Sequence, residues 1–267
     1  MRPWLMLTGP LLAGAVMAVA LGVIGPERAD FYRFEVAALE AFAFTGTLLA
    51  ALQLERGDYL RNAWLLFAFS YALYFVGDLT LTTGAFSDRP WTHLANGILT
   101  IVGNLAAATS TWMLARASRI AGLEPPWSTP VRVIVQVVAI GLALLVTGSA
   151  TATYARQIAQ GDMEAIRMLA SCFGDIFCFS LLAPMFLTAL SLRGGVLVWI
   201  WTLLTLSGLS WLGVDGAATF LPAMGVSEVD AQATFETLRL VANAYLGTAG
   251  LYQRWMLRRG PRGFAED

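Results

Sequence analysis

The sequence predicts an all-α, polytopic membrane protein with eight transmembrane helices. Three observations carry that reading. Of 267 residues, 57% are apolar and only 13% charged, against about 25% charged in soluble domains, and the mean hydropathy is +0.65. The apolar residues fall in blocks of roughly 20, the length of helix that crosses a bilayer core of roughly 30 Å. The breaks between blocks are short and carry turn chemistry.

The first block, 4–25, follows Met1-Arg2 and ends at Gly25-Pro26. Its Ala18-Val19-Ala20 run also has the small-residue pattern of a cleaved signal peptide. Retention as a first span is the expectation; cleavage would leave seven. Block two, 33–53, stops at Arg56-Gly57-Asp58, and block three, 62–84, at Ser87-Asp88-Arg89-Pro90. Block four, 92–115, runs into Arg116 and then Glu124-Pro125-Pro126. Blocks five and six, 131–153 and 168–190, end at Gly161-Asp162 and Arg193-Gly194-Gly195. Block seven, 196–220, gives way to a turn from Pro222 to Asp230, and block eight, 233–256, leads into a short tail.

Orientation follows from Arg, since the chain has no Lys. Eleven Arg lie on the side of both termini and six on the other. The positive-inside rule then expects a multi-pass protein of a bacterial inner membrane with both termini cytoplasmic.

Spans three and seven align without a gap at an offset of 137. Trp64 falls on Trp201, Ser70 on Ser207, Tyr74 on Trp211 and Asp78 on Asp215, and Arg56-Gly57 falls on Arg193-Gly194. Spans four and eight both end in Trp-Met-Leu-x-Arg. The expected organisation is two parallel repeat units, residues 1–120 and 121–257, with a cytoplasmic tail over 258–267. Parallel repeats place a site near their interface.

Absent residue types exclude several chemistries. Without Lys there is no Schiff base to retinal or pyridoxal phosphate. One His, His93, excludes bis-His haem and three-His zinc. Cys172 and Cys178 stand six apart, about 240° around a helix, so they read as packing residues rather than a disulfide or a metal pair. No cofactor and no metal site is expected, and a net charge of −1 gives no nucleic-acid footprint.

Glu35, Glu40, Asp78, Asp175, Asp215 and Glu236 lie inside spans. Each costs about 2.5 kcal/mol or more at mid-bilayer, which makes it a functional candidate. At 1.5 Å per residue, Glu40 and Asp175 sit roughly 10 Å below the outer end of their spans, and Asp78 and Asp215 slightly less. Arg239, Asn96, Asn104 and Asn243 share that half, with His93 at its rim; Glu35 reads as interfacial and solvated. A polar cluster confined to one side predicts a wet cavity open to the outer face. The expected ligand-binding set is Glu40, Tyr74, Asp78, Asp175, Trp211, Asp215, Glu236, Arg239 and Asn243. The bland readings stand beside it. Glu236 and Arg239 are spaced to pair along one helix, Asp78 and Asp215 can serve as interhelical hydrogen-bond partners, and Tyr74 and Trp211 can belong to an aromatic belt.

The Trp64-x5-Ser70-x3-Tyr74-x2-Gly77-Asp78 phrase resembles multi-span input regions of bacterial sensor kinases and diguanylate cyclases. That resemblance implies a stand-alone sensor or receptor-like protein that binds a small polar or cationic ligand and signals through a separately encoded partner. Gly77-Asp78 and Asp215 also resemble the Gly-Asp helices of the eight-span lysoplasmalogenase family. Here Val214 replaces the usual Ser before the second Asp, and that family's early Lys and Gly-His pairs are missing. This second resemblance implies a hydrolase using Asp78 and Asp215 as acid and base. A proton- or cation-coupled transporter is the third reading; the polar residues stop short of the inner half, which argues against it.

Overall fold

The computed structural model describes residues 3–24, 28–79, 90–120, 128–162, 165–191 and 197–259. The turn sequences at 25–26, 87–89, 124–126 and 193–195 and the tail beyond 259 lie outside the described residues, as does the side chain of His93.

The described chain is eight α-helices: α1 Pro3–Ile24, α2 Arg28–Gln53, α3 Tyr59–Gly77, α4 Pro90–Ile120, α5 Thr129–Ala159, α6 Ala165–Ser191, α7 Leu197–Ala223 and α8 Glu228–Arg259. Each matches one apolar block of the sequence, most extended by a turn or more. Five of them, α2 and α4 to α7, carry segments long and apolar enough to cross a membrane, and α1 holds a shorter apolar stretch, Leu5–Ala20. The outward faces support a lipid setting. Leu11, Leu12, Val16 and Val19 of α1 and Val137, Val138, Leu144 and Leu145 of α5 are all exposed, where water would penalise them.

Local chemistry sets the helix starts. Asp58 caps α3, its Oδ1 accepting from the Leu60 amide at 2.8 Å, and Gly57 supplies the positive φ of 94° that the preceding turn needs. Ser227 precedes α8, accepting from the Asp230 amide at 3.2 Å and donating to Asp230 Oδ2 at 2.7 Å.

Six helices close a ring: α2 packs on α3, α3 on α4, α4 on α6, α6 on α7, α7 on α8, and α8 on α2. Outside it, α1 lies against α8, and α5 against α6 and α7. Contacts fix the directions. Glu40 meets Arg239 and Gln53 meets Arg258, so α2 and α8 run parallel. Thr111 meets Cys178, and Asn104 lies beside Gly174, so α4 and α6 run parallel. Ser110 donates to the Ala63 carbonyl at 2.7 Å and Asn96 lies beside Gly77, so α3 opposes α4. Ser207 donates to the Ala242 carbonyl at 2.9 Å and Gly213 faces Leu238, so α7 opposes α8. Thr205 donates to the Leu182 carbonyl at 3.4 Å while Asp215 lies by Asp175, so α6 opposes α7, and α3 and α7 point the same way from opposite positions in the ring.

The α2–α8 seam is a backbone contact. A Cβ on Gly46 would lie 2.3 Å from the Gly247 carbonyl oxygen, and one on Gly250 would lie 2.4 Å from the Gly46 carbonyl. Ala43, Ala50 and Ala249 are fully buried around it. Between helices in lipid, where apolar burial gives little, such small residues permit the close approach that dispersion requires. The main core fills the end of the ring away from the acids, with Trp64, Leu203, Leu204 and Tyr245 at its centre. Tyr245 also ties α1 to the ring, its hydroxyl donating to the Leu7 carbonyl at 2.9 Å.

Candidate functional site

The ring leaves a cavity of about 430 Å³ along its axis. All six ring helices line it; α1 and α5 contribute nothing. From Gln232 to Leu246 of α8 the lining covers roughly 21 Å at 1.5 Å per residue. Gln232 is exposed at one end, and Phe67, Leu182, Leu204 and Leu246 close the other.

Two carboxyl clusters occupy the open end. In the first, Arg239 of α8 reaches three helices' acids: Asp78 Oδ2 at 3.1 Å, Glu40 Oε1 at 3.3 Å and Glu236 Oε2 at 3.4 Å. Arg presents five donors in a rigid fork, which suits it to hold several carboxylates at once. Its guanidinium also sits 5.8 Å from the Phe235 ring centroid, and Gln232 Nε2 donates to Glu236 Oε1 at 2.7 Å. Burying that much charge is tolerable because the pairing is mutual and all four groups are hydrogen-bonded within the cluster.

In the second cluster, the carboxyl groups of Asp175 on α6 and Asp215 on α7 face each other within hydrogen-bonding reach. Aromatic groups separate the clusters. Trp211 Nε1 donates to the Tyr71 hydroxyl at 3.2 Å, crossing the ring from α7 to α3. Tyr71 and Tyr74 meet edge to face, centroids 5.4 Å apart at 80°. The Tyr74 hydroxyl donates to Asn104 Oδ1 of α4, and it reaches α4 because its ring lies over Gly103, where a Cβ would come within 2.5 Å of it.

Eight of the nine site residues expected from sequence, Glu40, Tyr74, Asp78, Asp175, Trp211, Asp215, Glu236 and Arg239, lie on this one cavity wall. Asn243 does not. It stands on the cavity-facing side of α8, about 40° around from Arg239. Yet it is 0% exposed, and neither amide atom has a hydrogen-bond partner. Angular position alone therefore misplaces it. Glu35 is a second correction. It is 8% exposed rather than solvated, and both its carboxylate oxygens are buried without a partner. The helix-face pairing of Glu236 with Arg239 is present, as one arm of the larger cluster.

Asp78 and Asp215, the acid and base of the hydrolase resemblance, both line the cavity but have different partners. Asp78 is held by Arg239, and the carboxyl that faces Asp215 is Asp175.

Sequence reading passed over Tyr71 and Gln232 and took Cys178 for a packing residue; all three are on the cavity wall. Each stands three, four or seven positions from a chosen residue on the same helix face: Tyr71 before Tyr74 and Asp78, Gln232 before Glu236 and Arg239, Cys178 after Asp175. Cys178 accepts from the Thr111 hydroxyl at 3.6 Å, and both cysteines are free thiols. Among the described residues no three His, Cys, Asp or Glu side chains converge as a metal-holding group; Arg239 takes the centre of the densest cluster. No family model, curated protein or solved structure matches this chain.

Proposed function

We propose that the chain is an integral membrane receptor for a small organic cation, bound in the ring cavity and signalled to a separately encoded partner. One observation carries the ligand chemistry: among the described residues, five carboxyl groups and one guanidinium line the same space. Arg239 is spent on Glu40, Asp78 and Glu236. A cation entering beside Asp175 and Asp215 meets opposite charge together with Trp211, whose ring face adds cation–π attraction. In this reading all eight helices cross a bacterial inner membrane, both termini are cytoplasmic, and the cavity opens outward. The polar residues Gln232, Glu236 and Arg239 of α8 sit on its cavity face, away from lipid. The two parallel units, 1–120 and 121–257, belong to the same proposal. The ring order maps onto itself when α2, α3 and α4 exchange with α6, α7 and α8.

The cavity's apolar inner end supports a receptor over a carrier, which needs a polar route to both sides. The facing carboxyls of Asp175 and Asp215 favour one second reading, an acid–base hydrolase of the lysoplasmalogenase type in which that pair replaces Asp78 with Asp215.

The test is calorimetric titration of the protein in lipid nanodiscs with tetramethylammonium, against acetate as the anionic control. Saturable binding of the cation alone is expected, weakened about tenfold or more in Asp175→Asn/Asp215→Asn. Equal affinity in the variant, or no binding by the parent protein, overturns the receptor reading. Release of aldehyde from a vinyl-ether lysolipid, abolished by Asp215→Asn, would establish the hydrolase.

A further inference from the structure

The two carboxyl pairs occupy matching places in the ring. In the first, a single nitrogen, Arg239 Nη2, lies 3.3 Å from Glu40 Oε1 of α2 and 3.1 Å from Asp78 Oδ2 of α3. In the second, Asp175 of α6 faces Asp215 of α7. Exchanging α2 and α3 with α6 and α7 carries one pair onto the other, and the same exchange carries α8 onto α4. The two helices bring different chemistry to their pairs. Where α8 offers a guanidinium, α4 presents Asn96, Thr100 and Asn104 to the cavity, all uncharged. Thr100 lies one turn from Asn104, which packs beside Gly174, the residue before Asp175. The Thr100 hydroxyl donates to the Asn96 carbonyl of its own helix at 2.9 Å, so this side chain is short and already satisfied. A further acceptor stands on the same cavity wall. Glu40 is 2% exposed, yet its Oε2 has no hydrogen-bond partner while Oε1 goes to Arg239.

We propose that the ligand is a guanidinium compound whose planar head takes, at Asp175 and Asp215, the place that Arg239 takes at Glu40 and Asp78, Thr100 being the position on α4 that leaves this place to a ligand. The proposal rests on the receptor reading, with its two parallel units, and narrows it. Charge alone would admit any cation. Hydrogen-bond geometry selects among cations: facing carboxylates present in-plane lone pairs, and a guanidinium meets two of them at once with N–H donors fixed in one plane. A quaternary ammonium carries the charge but no donor, and leaves those oxygens, and Glu40 Oε2, desolvated without a partner. Trp211 stands one turn before Asp215 on the cavity wall. It suits the same head, because the flat face of a guanidinium stacks on an aromatic ring. The chain already uses that combination: Arg239 holds three carboxylates and lies 5.8 Å from the Phe235 ring centroid.

The experiment is calorimetric titration of the protein in nanodiscs with methylguanidinium, tetramethylammonium and methylurea, the last a neutral molecule of the same planar shape. Methylguanidinium is expected to bind about tenfold more tightly than tetramethylammonium, and methylurea about a hundredfold more weakly than methylguanidinium. Thr100→Arg supplies a guanidinium from α4 and is expected to weaken methylguanidinium binding about thirtyfold or more. Thr100→Gln adds side-chain length without charge, and its loss is expected to be about tenfold smaller. The comparison of ligands uses the parent protein, so a folding defect in Thr100→Arg leaves it decisive. Tetramethylammonium binding as tightly as methylguanidinium overturns the guanidinium head and leaves the receptor reading standing. Equal losses in Thr100→Arg and Thr100→Gln overturn the match between Thr100 and Arg239. Absence of tetramethylammonium binding by the parent protein is a separate failure, that of the receptor reading itself.

Discussion

Arg239 of α8 and Asp78 at the end of α3, 161 positions apart in the chain, meet at 3.1 Å. The same guanidinium holds Glu40 of α2, so one side chain clamps three helices of the ring. The clamp has a direct consequence for stability. Arg239→Gln removes the guanidinium from a wall that keeps Glu40 and Glu236 almost fully buried. Breaking a buried ion pair by deleting one partner costs about 3–5 kcal/mol. Arg239→Gln is therefore expected to lower the unfolding free energy in detergent by that order. The quadruple variant Arg239→Gln/Glu40→Gln/Asp78→Asn/Glu236→Gln should recover much of the loss, since no charge is left stranded. Denaturant titration followed by circular dichroism measures both.

The α2–α8 seam gives a steric prediction. A methyl group at Gly46 or Gly250 points at backbone, which cannot turn aside. Gly46→Ala and Gly250→Ala should each cost about 1–3 kcal/mol by forcing the helices apart. Gly141→Ala and Gly148→Ala, which meet nothing within 4 Å, should change stability by no more than about 0.5 kcal/mol. Thermal unfolding of the four variants in one detergent reads the contrast.

Trp211 is expected to serve the ligand rather than the fold. Its indole N–H reaches Tyr71 at 3.2 Å across the cavity. Trp211→Phe removes that hydrogen bond and weakens the ring's attraction for a cation, worth about 0.5–2 kcal/mol. Tetramethylammonium affinity should fall about threefold to tenfold, with the circular dichroism spectrum unchanged. An unaltered affinity would place Trp211 in the aromatic belt instead.

Topology can be read by reporter fusions. The alternating helix directions put the α7–α8 turn at the cavity's open end, so a fusion near Asp230 should report the exterior, as should one near Asp88. Fusions after Arg259 and within 193–195 should report cytoplasm. A cytoplasmic signal at Asp230 would reverse the cavity.

The sequence by itself determined the helices, their breaks and the end of the bundle at which the acids gather. These are local properties: a run of apolar residues, a Gly or Pro that ends it, and a count of residues at 1.5 Å each. The spacing rule also held within one helix, where Glu236 and Arg239 pair at 3.4 Å. Tertiary structure alone decided which helices neighbour one another, that Arg239 serves three helices, that Asp215 faces Asp175 rather than Asp78, and that Asn243 and Glu35 are sealed. The reason lies in the surroundings these helices suit. A soluble helix declares its buried face by being apolar on one side only. Here the outward faces of α1 and α5 are as apolar as the core, so hydropathy does not fix how far a helix is rotated or which neighbour it meets. Those choices rest on close contacts such as Gly46 against Gly247 and on a few polar bonds, between residues that only the folded ring brings together.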